Sequence, residues 1–188
     1  MIRRRNGISA DLTQTSSFFA FPGVYTATAQ GSALLASDTE AGSPGSSTLS
    51  SAATENITFN TPQLASGAQD AIQAQVKQQM DTCAQSTDPY PSGCPFNLYS
   101  VYIDGSISSV QWSITNYPTV TVTAASQISA GEQADFSDSA DDGLAHYVAT
   151  YTDYTGATQT TGGDVPFSVS GTAAVSGSGI TLNFESVN

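Results

Sequence analysis

The sequence predicts an α+β fold in which one main helix packs on a curved antiparallel sheet of five to seven strands. Three observations predict it. A single stretch carries apolar residues at helical spacing, and several short stretches alternate apolar with polar residues. The composition is rich in Ser, Thr and Gly, with only 11% charged residues, and uncharged polar surfaces of this kind suit β-structure.

The N-terminal end shows no periodicity over residues 1–17, and we expect a disordered or peripheral segment there. Residues 18–188 are long enough for a single domain with its own core. The basic start at Arg3, Arg4 and Arg5 is typical of a signal peptide or a membrane flank, yet no apolar stretch follows it. No apolar stretch approaches the ~20 residues of a membrane helix, so we expect no direct membrane insertion within this chain.

The first elements precede the helix. Phe21-Pro22-Gly23 predicts a turn into a strand at residues 24–29. Residues 36–54 are dominated by Ser, Gly, Thr and Ala, which predicts a flexible loop, and a second short strand is expected at residues 56–60.

The helix is predicted over residues 67–84. Ser66 is placed to be its N-cap, and Gln69 would complete a capping box. The predicted buried face consists of Ile72, Val76, Met80, Cys83 and Ala84. Pro89 and Pro91 require the helix to end before them.

Strands dominate after Cys94. They are expected at residues 98–103, 108–114, 117–123, 147–151, 165–169 and 180–184, with an acidic turn at 135–143 and a Gly-Ser turn at 176–179. One helix followed by antiparallel strands fits a cystatin-like or NTF2-like cone, and a β-sandwich with an extra helix is the alternative.

The two cysteines, Cys83 and Cys94, are the most specific feature of the sequence. A zinc site would need two more ligands, and a redox motif would need closer spacing. We therefore predict a disulfide, with two buried free thiols as the alternative. A disulfide implies an oxidising compartment, so the predicted localisation is extracytoplasmic, either secreted or membrane-anchored.

Candidate binding residues are few. A ligand groove on an open sheet face is one interpretation of Tyr99, Tyr102, Trp112, Tyr147 and Tyr151, although such residues more often form core or cross-strand pairs. A calcium site is a weaker interpretation of Asp135, Asp138, Asp141 and Asp142, since their spacing departs from known calcium loops and a solvated acidic turn is the default.

Catalytic residues and cofactor sites are not indicated. His146 has no partner that spacing identifies, and no Gly-x-Ser-x-Gly motif is present. From Asn6 onward, 16 acidic residues face the single Lys77, which gives about −15 and excludes direct binding to nucleic acid or anionic lipid. No cofactor is expected, and the partner is expected to be an envelope protein, a peptide or a glycan.

A resemblance rests on the ends of the cysteine loop and the following strand. The stretches Met80-Asp81-Thr82-Cys83-Ala84, Gly93-Cys94-Pro95-Phe96, Val110-Gln111-Trp112-Ser113-Ile114 and Tyr117-Pro118 carry it. Residues 65–185 resemble the extracytoplasmic C-terminal region of single-pass membrane proteins of unknown function in actinobacteria. The resemblance implies a cytoplasmic segment, one membrane helix, which this chain lacks, and an outward-facing domain. It brings no catalytic residues.

We therefore expect a non-enzymatic interaction or sensing domain displayed outside the membrane. Three alternatives stay open: a small-molecule or peptide binding module with a cavity between helix and sheet, a secreted hydrolase, and a structural surface or virion subunit.

Overall fold

A computed structural model describes residues 2–3, 24–42, 58–124, 133–138 and 143–185 of the 188-residue chain. Its elements are β1 Ile2–Arg3, β2 Tyr25–Ala29, β3 Asp38–Gly42, α1 Ala68–Cys83, β4 Ser106–Asn116, β5 Val120–Ala124, β6 Gln133–Asp138, β7 Gly143–Thr152, β8 Thr158–Phe167, β9 Ser170–Ser176 and β10 Gly179–Phe184. One helix and antiparallel strands confirm the α+β class in this coarse form. None of the described helical residues forms a span long and apolar enough to cross a membrane.

The described strands form three antiparallel sheets, ordered β1-β2-β3, β4-β7-β8 and β10-β9-β6-β5. The last two sheets meet where β8 passes into β9. There the Asp138 N–H donates to the Val169 carbonyl at 3.0 Å, and the Val169 N–H donates to the Asp138 carboxylate at 3.1 Å. α1 contacts β4, β5 and β10, so it joins these two sheets into one core.

The helix begins differently from the prediction. Gly67 is its N-cap, with a left-handed backbone (φ 85°) and no side-chain capping bond, so the predicted Ser66 capping box is wrong. Glycine adopts this conformation without the steric cost of a Cβ. The predicted buried face is confirmed at Ile72, Val76, Met80 and Cys83, whereas Ala84 is half-buried.

The N-terminal region departs from prediction at several elements. Ile2–Arg3 pairs with β2, and the rest of the predicted disordered segment 1–17 lies outside the described residues. β2 confirms the strand predicted at 24–29. Asp38–Gly42 forms β3 inside the predicted flexible loop, whose remainder from residue 43 is not described. Residues 58–60 of the predicted second strand are not in a strand.

Two predictions in the C-terminal half are wrong. Residues 98–103 form no strand. The Leu98 N–H bonds to the Pro89 carbonyl, and the Val101 N–H bonds to the Leu98 carbonyl, which closes a turn at residues 98–101. β6 occupies Gln133–Asp138, which was predicted to be partly turn. Its buried Ala134 and Phe136 alternate with polar residues, so a strand pattern was present within the acidic stretch.

An aromatic cluster fills the core between the helix and the β4-β7-β8 sheet. The Phe96 ring lies 5.0 Å from Trp112 and 5.3 Å from Phe167, and Trp112 lies 6.1 Å from Tyr147. The Trp112 indole N–H donates to the Asp88 carbonyl at 3.0 Å. This bond ties the loop after α1 to β4 and satisfies the polar atom of a buried ring.

Candidate functional site

On one flank of α1, two glutamine side chains form hydrogen bonds with the backbone at the outer edge of β5. Gln73 Nε2 donates to the Pro118 carbonyl at 2.9 Å, and Gln73 Oε1 accepts the Val120 N–H at 2.9 Å. Gln69 Nε2 donates to the Val120 carbonyl at 2.6 Å, and Gln69 Oε1 accepts the Val122 N–H at 3.1 Å. Each glutamine thus binds the strand backbone as a neighbouring strand would.

Matching repeats make this contact possible. Residues four apart on a helix are separated by about 6 Å along its axis, and residues two apart on a strand by about 6.8 Å. Gln69 and Gln73 are four apart, and the backbone groups they bind recur every second residue, at Pro118 just before β5 and at Val120 and Val122 on it. Because exposed edges recruit other strands, this contact protects β5 from unwanted pairing.

The opposite flank of α1 faces β10 across an open cleft of about 270 Å³. The described residues that line it are Gln75, Gln78, Gln79, Thr82, Ile180, Thr181, Leu182 and Phe184. At 3.6 residues per turn, the four helix residues lie on the side of the buried stripe away from Gln69 and Gln73. Gln75 and Gln79 are half-buried at the floor, while Gln78 and Thr82 are exposed at the rim.

The strand wall of the cleft is apolar. Ile180, Leu182 and Phe184 alternate along β10 and are all half-buried. Phe184 is fixed from behind by an edge-on contact with Phe136 at 5.4 Å. The Thr181 side chain lies on the opposite face of β10 from Ile180 and Leu182, yet Thr181 also lines the cleft. The cleft therefore extends to the open edge of β10.

β10 is an edge strand with free backbone groups. Among the described strands it pairs with β9 alone. The pairing runs from Ser176↔Gly179 next to the two-residue turn, and the Glu185 N–H bonds to the Ser170 carbonyl at 2.9 Å at the far end. Since inward and outward backbone groups alternate along such a pair, the N–H groups of Ile180 and Leu182 point to the open edge.

The lining defines what the cleft can bind. None of the described lining residues carries a formal charge, so the chemistry offered is amide and hydroxyl hydrogen bonding beside an apolar wall. The volume lies just below the range of about 300–1,000 Å³ usual for enclosed small-molecule sites. The uncharged lining and the small volume both suit an uncharged ligand of which only a part enters the cleft.

The disulfide borders this cleft. A bond joins Cys83, which is buried, to the half-buried Cys94, with 5.8 Å between their Cα atoms. Gln79 Nε2 lies 3.9 Å from Cys83 Sγ, a weak contact between the cleft floor and the bridge. The loop after α1 is therefore covalently held at the end of the helix that forms the cleft.

Comparison of the chain with protein-family models, with curated proteins and with solved structures finds no match.

An ionic cluster lies on the outward face of α1. Lys77 Nζ is 3.0 Å from the Asp81 carboxylate and 3.7 Å from the centre of the Tyr117 ring, and the Tyr117 hydroxyl donates to the same carboxylate. The Tyr117 hydroxyl, and then Lys77, lower the pKa of Asp81, while Tyr117 and then Asp81 raise the pKa of Lys77. The side chains of Lys77, Asp81 and Tyr117 therefore bind one another, and this cluster holds the segment around Tyr117 against α1.

The five aromatic residues of the predicted groove are divided between the core and the surface. Trp112 and Tyr147 are packed together in the core, at 7% and 6% exposure, and Tyr151 is half-buried on β7. Tyr99 and Tyr102 are 78% and 88% exposed in the loop after the disulfide. Tyr99 stacks on Tyr90 with ring centres 4.4 Å apart. A groove shared by all five stays a prediction.

The acidic residues predicted as a calcium site are only partly described. Asp135 and Asp138 lie on β6 and, being three residues apart, point to opposite faces of the sheet. Asp138 is engaged by the Val169 N–H. Asp141 and Asp142 lie outside the described residues, within which no group of three His, Cys, Asp or Glu side chains comes together.

His146 has a partner that the sequence did not reveal. Its Nδ1 lies 2.7 Å from the Asp164 carboxylate on β8, and Ser113 on β4 is its cross-strand neighbour on the other side. The ring leans over β8, where a Cβ on Gly162 would lie 3.8 Å from Nε2. Within the described residues His146 makes no hydrogen bond to Ser113. Ser113, His146 and Asp164 are therefore neighbours on an open sheet face and not a hydrogen-bonded set of three.

Sequence reasoning also missed the four glutamines that flank the buried stripe. Gln69 and Gln73 on one side, and Gln75 and Gln79 on the other, recur four apart next to apolar positions. That spacing was readable, but its meaning depends on which strand edges the helix meets, and only the tertiary structure gives them.

Proposed function

We propose that this chain is a non-enzymatic interaction or sensing module of the cell envelope, and that the cleft between α1 and β10 is its ligand site. The cleft carries the proposal. It combines half-buried apolar side chains with amides that are not engaged in strand pairing, and it opens on an edge strand. Such a combination of an apolar surface with a few polar groups is typical of binding sites.

The proposed location is extracytoplasmic. The Cys83–Cys94 bond supports it, because disulfides persist in oxidising compartments and are rare in the cytosol. The resemblance to outward-facing domains of actinobacterial membrane proteins supports the same side of the membrane. An excess of acidic side chains contributes to the solubility of such a domain.

The proposed ligand is a peptide or another uncharged group that presents both apolar and hydrogen-bonding atoms. A cystatin-like or NTF2-like curvature of the sheet would deepen the cleft, and it forms part of this proposal. A hydrolase is less well supported, since the pair of His146 and Asp164 stands on an open face with its ring turned away from Ser113.

A site-blocking pair of variants tests the function. Gln78→Trp places a large ring at the rim of the cleft, and Ala74→Trp places the same ring on the exposed outward face of α1. A displayed library of random peptides and a set of uncharged small molecules are screened against the oxidised protein. We expect bound compounds to lose about tenfold or more in affinity with Gln78→Trp and to keep it with Ala74→Trp. Absence of binders, or equal binding to both variants, would contradict the proposal.

A further inference from the structure

We propose that β8 pairs edge to edge with β8 of a second copy of this chain, so that two β4-β7-β8 sheets join into one across a two-fold axis. Among the described strands β8 pairs with β7 alone, which leaves its outer edge open. β8 and β10 belong to different sheets, so this pairing does not depend on a ligand in the cleft.

The other three edges of the two sheets that α1 joins are shielded. The edge of β5 is bound by glutamine side chains of α1, and the opposite flank of the helix lies beside β10. On β4 the Val110 N–H donates to the Thr87 carbonyl at 2.9 Å, and two register shifts interrupt the pairing with β7. In the described residues β8 has no such cover, and its register with β7 is continuous over ten residue pairs. A long, regular and uncovered edge is a template for another strand.

The backbone groups that point to this open edge belong to even-numbered residues. On β7 the carbonyls of Leu144 and Thr150 accept hydrogen bonds from hydroxyls of β4, so the even-numbered residues of β7 face β4. The odd-numbered residues of β7 therefore face β8, where their partners also have odd numbers. The outward N–H groups of β8 are hence those of Thr158, Thr160, Gly162 and Asp164. Pro166 comes next in this series, and an edge strand tolerates proline where its nitrogen faces solvent.

Gly162 shows that the backbone of this edge reaches solvent. It lies within β8, has no side chain and is nevertheless exposed, so the exposed atoms are those of the strand backbone. A Cβ at this position would lie 2.9 Å from the Tyr147 carbonyl oxygen, which accounts for the glycine. The middle of β8 is therefore open to close approach by another backbone.

A second copy fits this edge because β8 is complementary to itself. A two-fold axis at Gly162 overlaps the two strands from Thr158 to Pro166 and places Thr160 opposite Asp164 of the second copy. Residues 158–163 carry no charge although the chain has a formal charge of −12, so two acidic chains can approach here. The two Asp164 residues are offset by four strand positions, about 13 Å, which exceeds the Debye length of about 8 Å at physiological salt.

Pairing of this kind ends at two copies. The contact uses the same edge of both chains, and the shielded edges of β4, β5 and β10 offer no site for a third. One pair of strands is a small contact compared with the about 1,200–2,000 Å² of stable interfaces, so the dimer is expected to be reversible.

Sedimentation equilibrium of the oxidised protein, between about 10 µM and about 1 mM, measures the association. We expect a monomer–dimer equilibrium with no larger species. Thr160→Pro removes an outward N–H from each copy and should weaken the dimer about tenfold or more, whereas Thr160→Val keeps the N–H and should associate as the parent does. Circular dichroism checks that both variants are folded.

Charges at the same position test the register and remain informative if Thr160→Pro does not fold. Thr160→Lys would lie opposite Asp164 of the second copy and should strengthen the dimer about two- to tenfold, and Thr160→Glu should weaken it to a similar extent. Asp164→Asn should remove the difference between these two variants. Ala74→Lys and Ala74→Glu make the same charge changes on the exposed face of α1 and should differ little from each other.

The outcomes that overturn the proposal are distinct. A chain that is monomeric throughout this range would rule out a second copy as the occupant and leave the edge to a strand of another protein. A dimer that Thr160→Pro leaves unchanged, or that responds equally to charges at Thr160 and at Ala74, would not be joined through β8. A dimer that Thr160→Pro weakens, but that does not respond to the sign of the charge at Thr160, would overturn the axis at Gly162.

Discussion

The pairing between Gln73 and β5 can be tested by replacing this residue with methionine. Gln73→Met keeps the length and approximate volume of the side chain, and the two residues have similar helix propensity. It removes two hydrogen bonds of 2.9 Å, to the Pro118 carbonyl and from the Val120 N–H. Pro118, just before β5, and Val120, at 2% exposure, are both buried, so little water can replace the lost partners of their backbone groups.

The expected cost follows from these two groups. A buried backbone group that loses its partner costs about 1–3 kcal/mol, and the apolar methionine recovers part of this by packing on the same surface. We therefore expect the free energy of unfolding to fall by about 2–3 kcal/mol. The effect is about ten times larger than the difference in helix propensity between the two residues, which is on the order of 0.2 kcal/mol.

Urea unfolding of the oxidised protein measures this change, with fluorescence of the single tryptophan, Trp112, as the signal. Gln75→Met is the matched control on the opposite flank of the helix. It removes an amide that makes no hydrogen bond in the described residues, and should stay within about 0.5 kcal/mol of the parent. Equal stability of the two variants would refute the claim that helix amides hold the β5 edge.

Three further predictions concern the bridge, the ionic cluster and the open sheet face. Replacing Cys83 and Cys94 together with alanine should lower the free energy of unfolding, measured in urea, by about 3 kcal/mol. Non-reducing mass spectrometry of the parent protein should show the loss of two hydrogens, and two free thiols would contradict the bridge. Asp81→Asn should destabilise the protein at neutral pH. The Tyr117 hydroxyl and then Lys77 lower the pKa of Asp81 below its ordinary 3.8 in the folded state, so the difference in stability from the parent should be present above pH 3.8 and disappear as the pH falls through the folded pKa. A difference that persists unchanged in acid would argue against this cluster. A broad screen of ester and peptide substrates should show no turnover, and turnover that His146→Ala abolishes would favour the hydrolase alternative.

The features that the sequence predicted well are those that local pattern determines. The apolar stripe of α1 follows from helical spacing, and most of its buried face was identified. The strand β10 follows from the alternation of Ile180, Leu182 and Phe184 after the Gly-Ser turn, whereas its partner is β9 at Ser170–Ser176 and not the predicted strand at 165–169. In both cases the periodicity of one short segment is sufficient to define the element.

Most of the features that were missed depend on distant contacts. The stretch at 98–103 has strand-forming residues, but the Leu98 bond to Pro89 holds it in turns. β6 is the exception, because the local alternation of Ala134 and Phe136 with polar residues indicates a strand inside the stretch predicted to be an acidic turn. The pairing of His146 with Asp164 requires the register of β7 against β8, and the glutamine contacts require knowledge of which edges α1 meets.

Amide hydrogen exchange tests the central claim, that ligand binds in the cleft at the edge of β10. It is measured by NMR on the oxidised protein, free and saturated with the best-binding peptide selected from the displayed library. The cleft account predicts slower exchange at the outward N–H groups of Ile180 and Leu182, with little change at Thr181 and Asn183, which already bond to β9. Slowing confined to residues outside the cleft, with Ile180 and Leu182 unchanged, would contradict it.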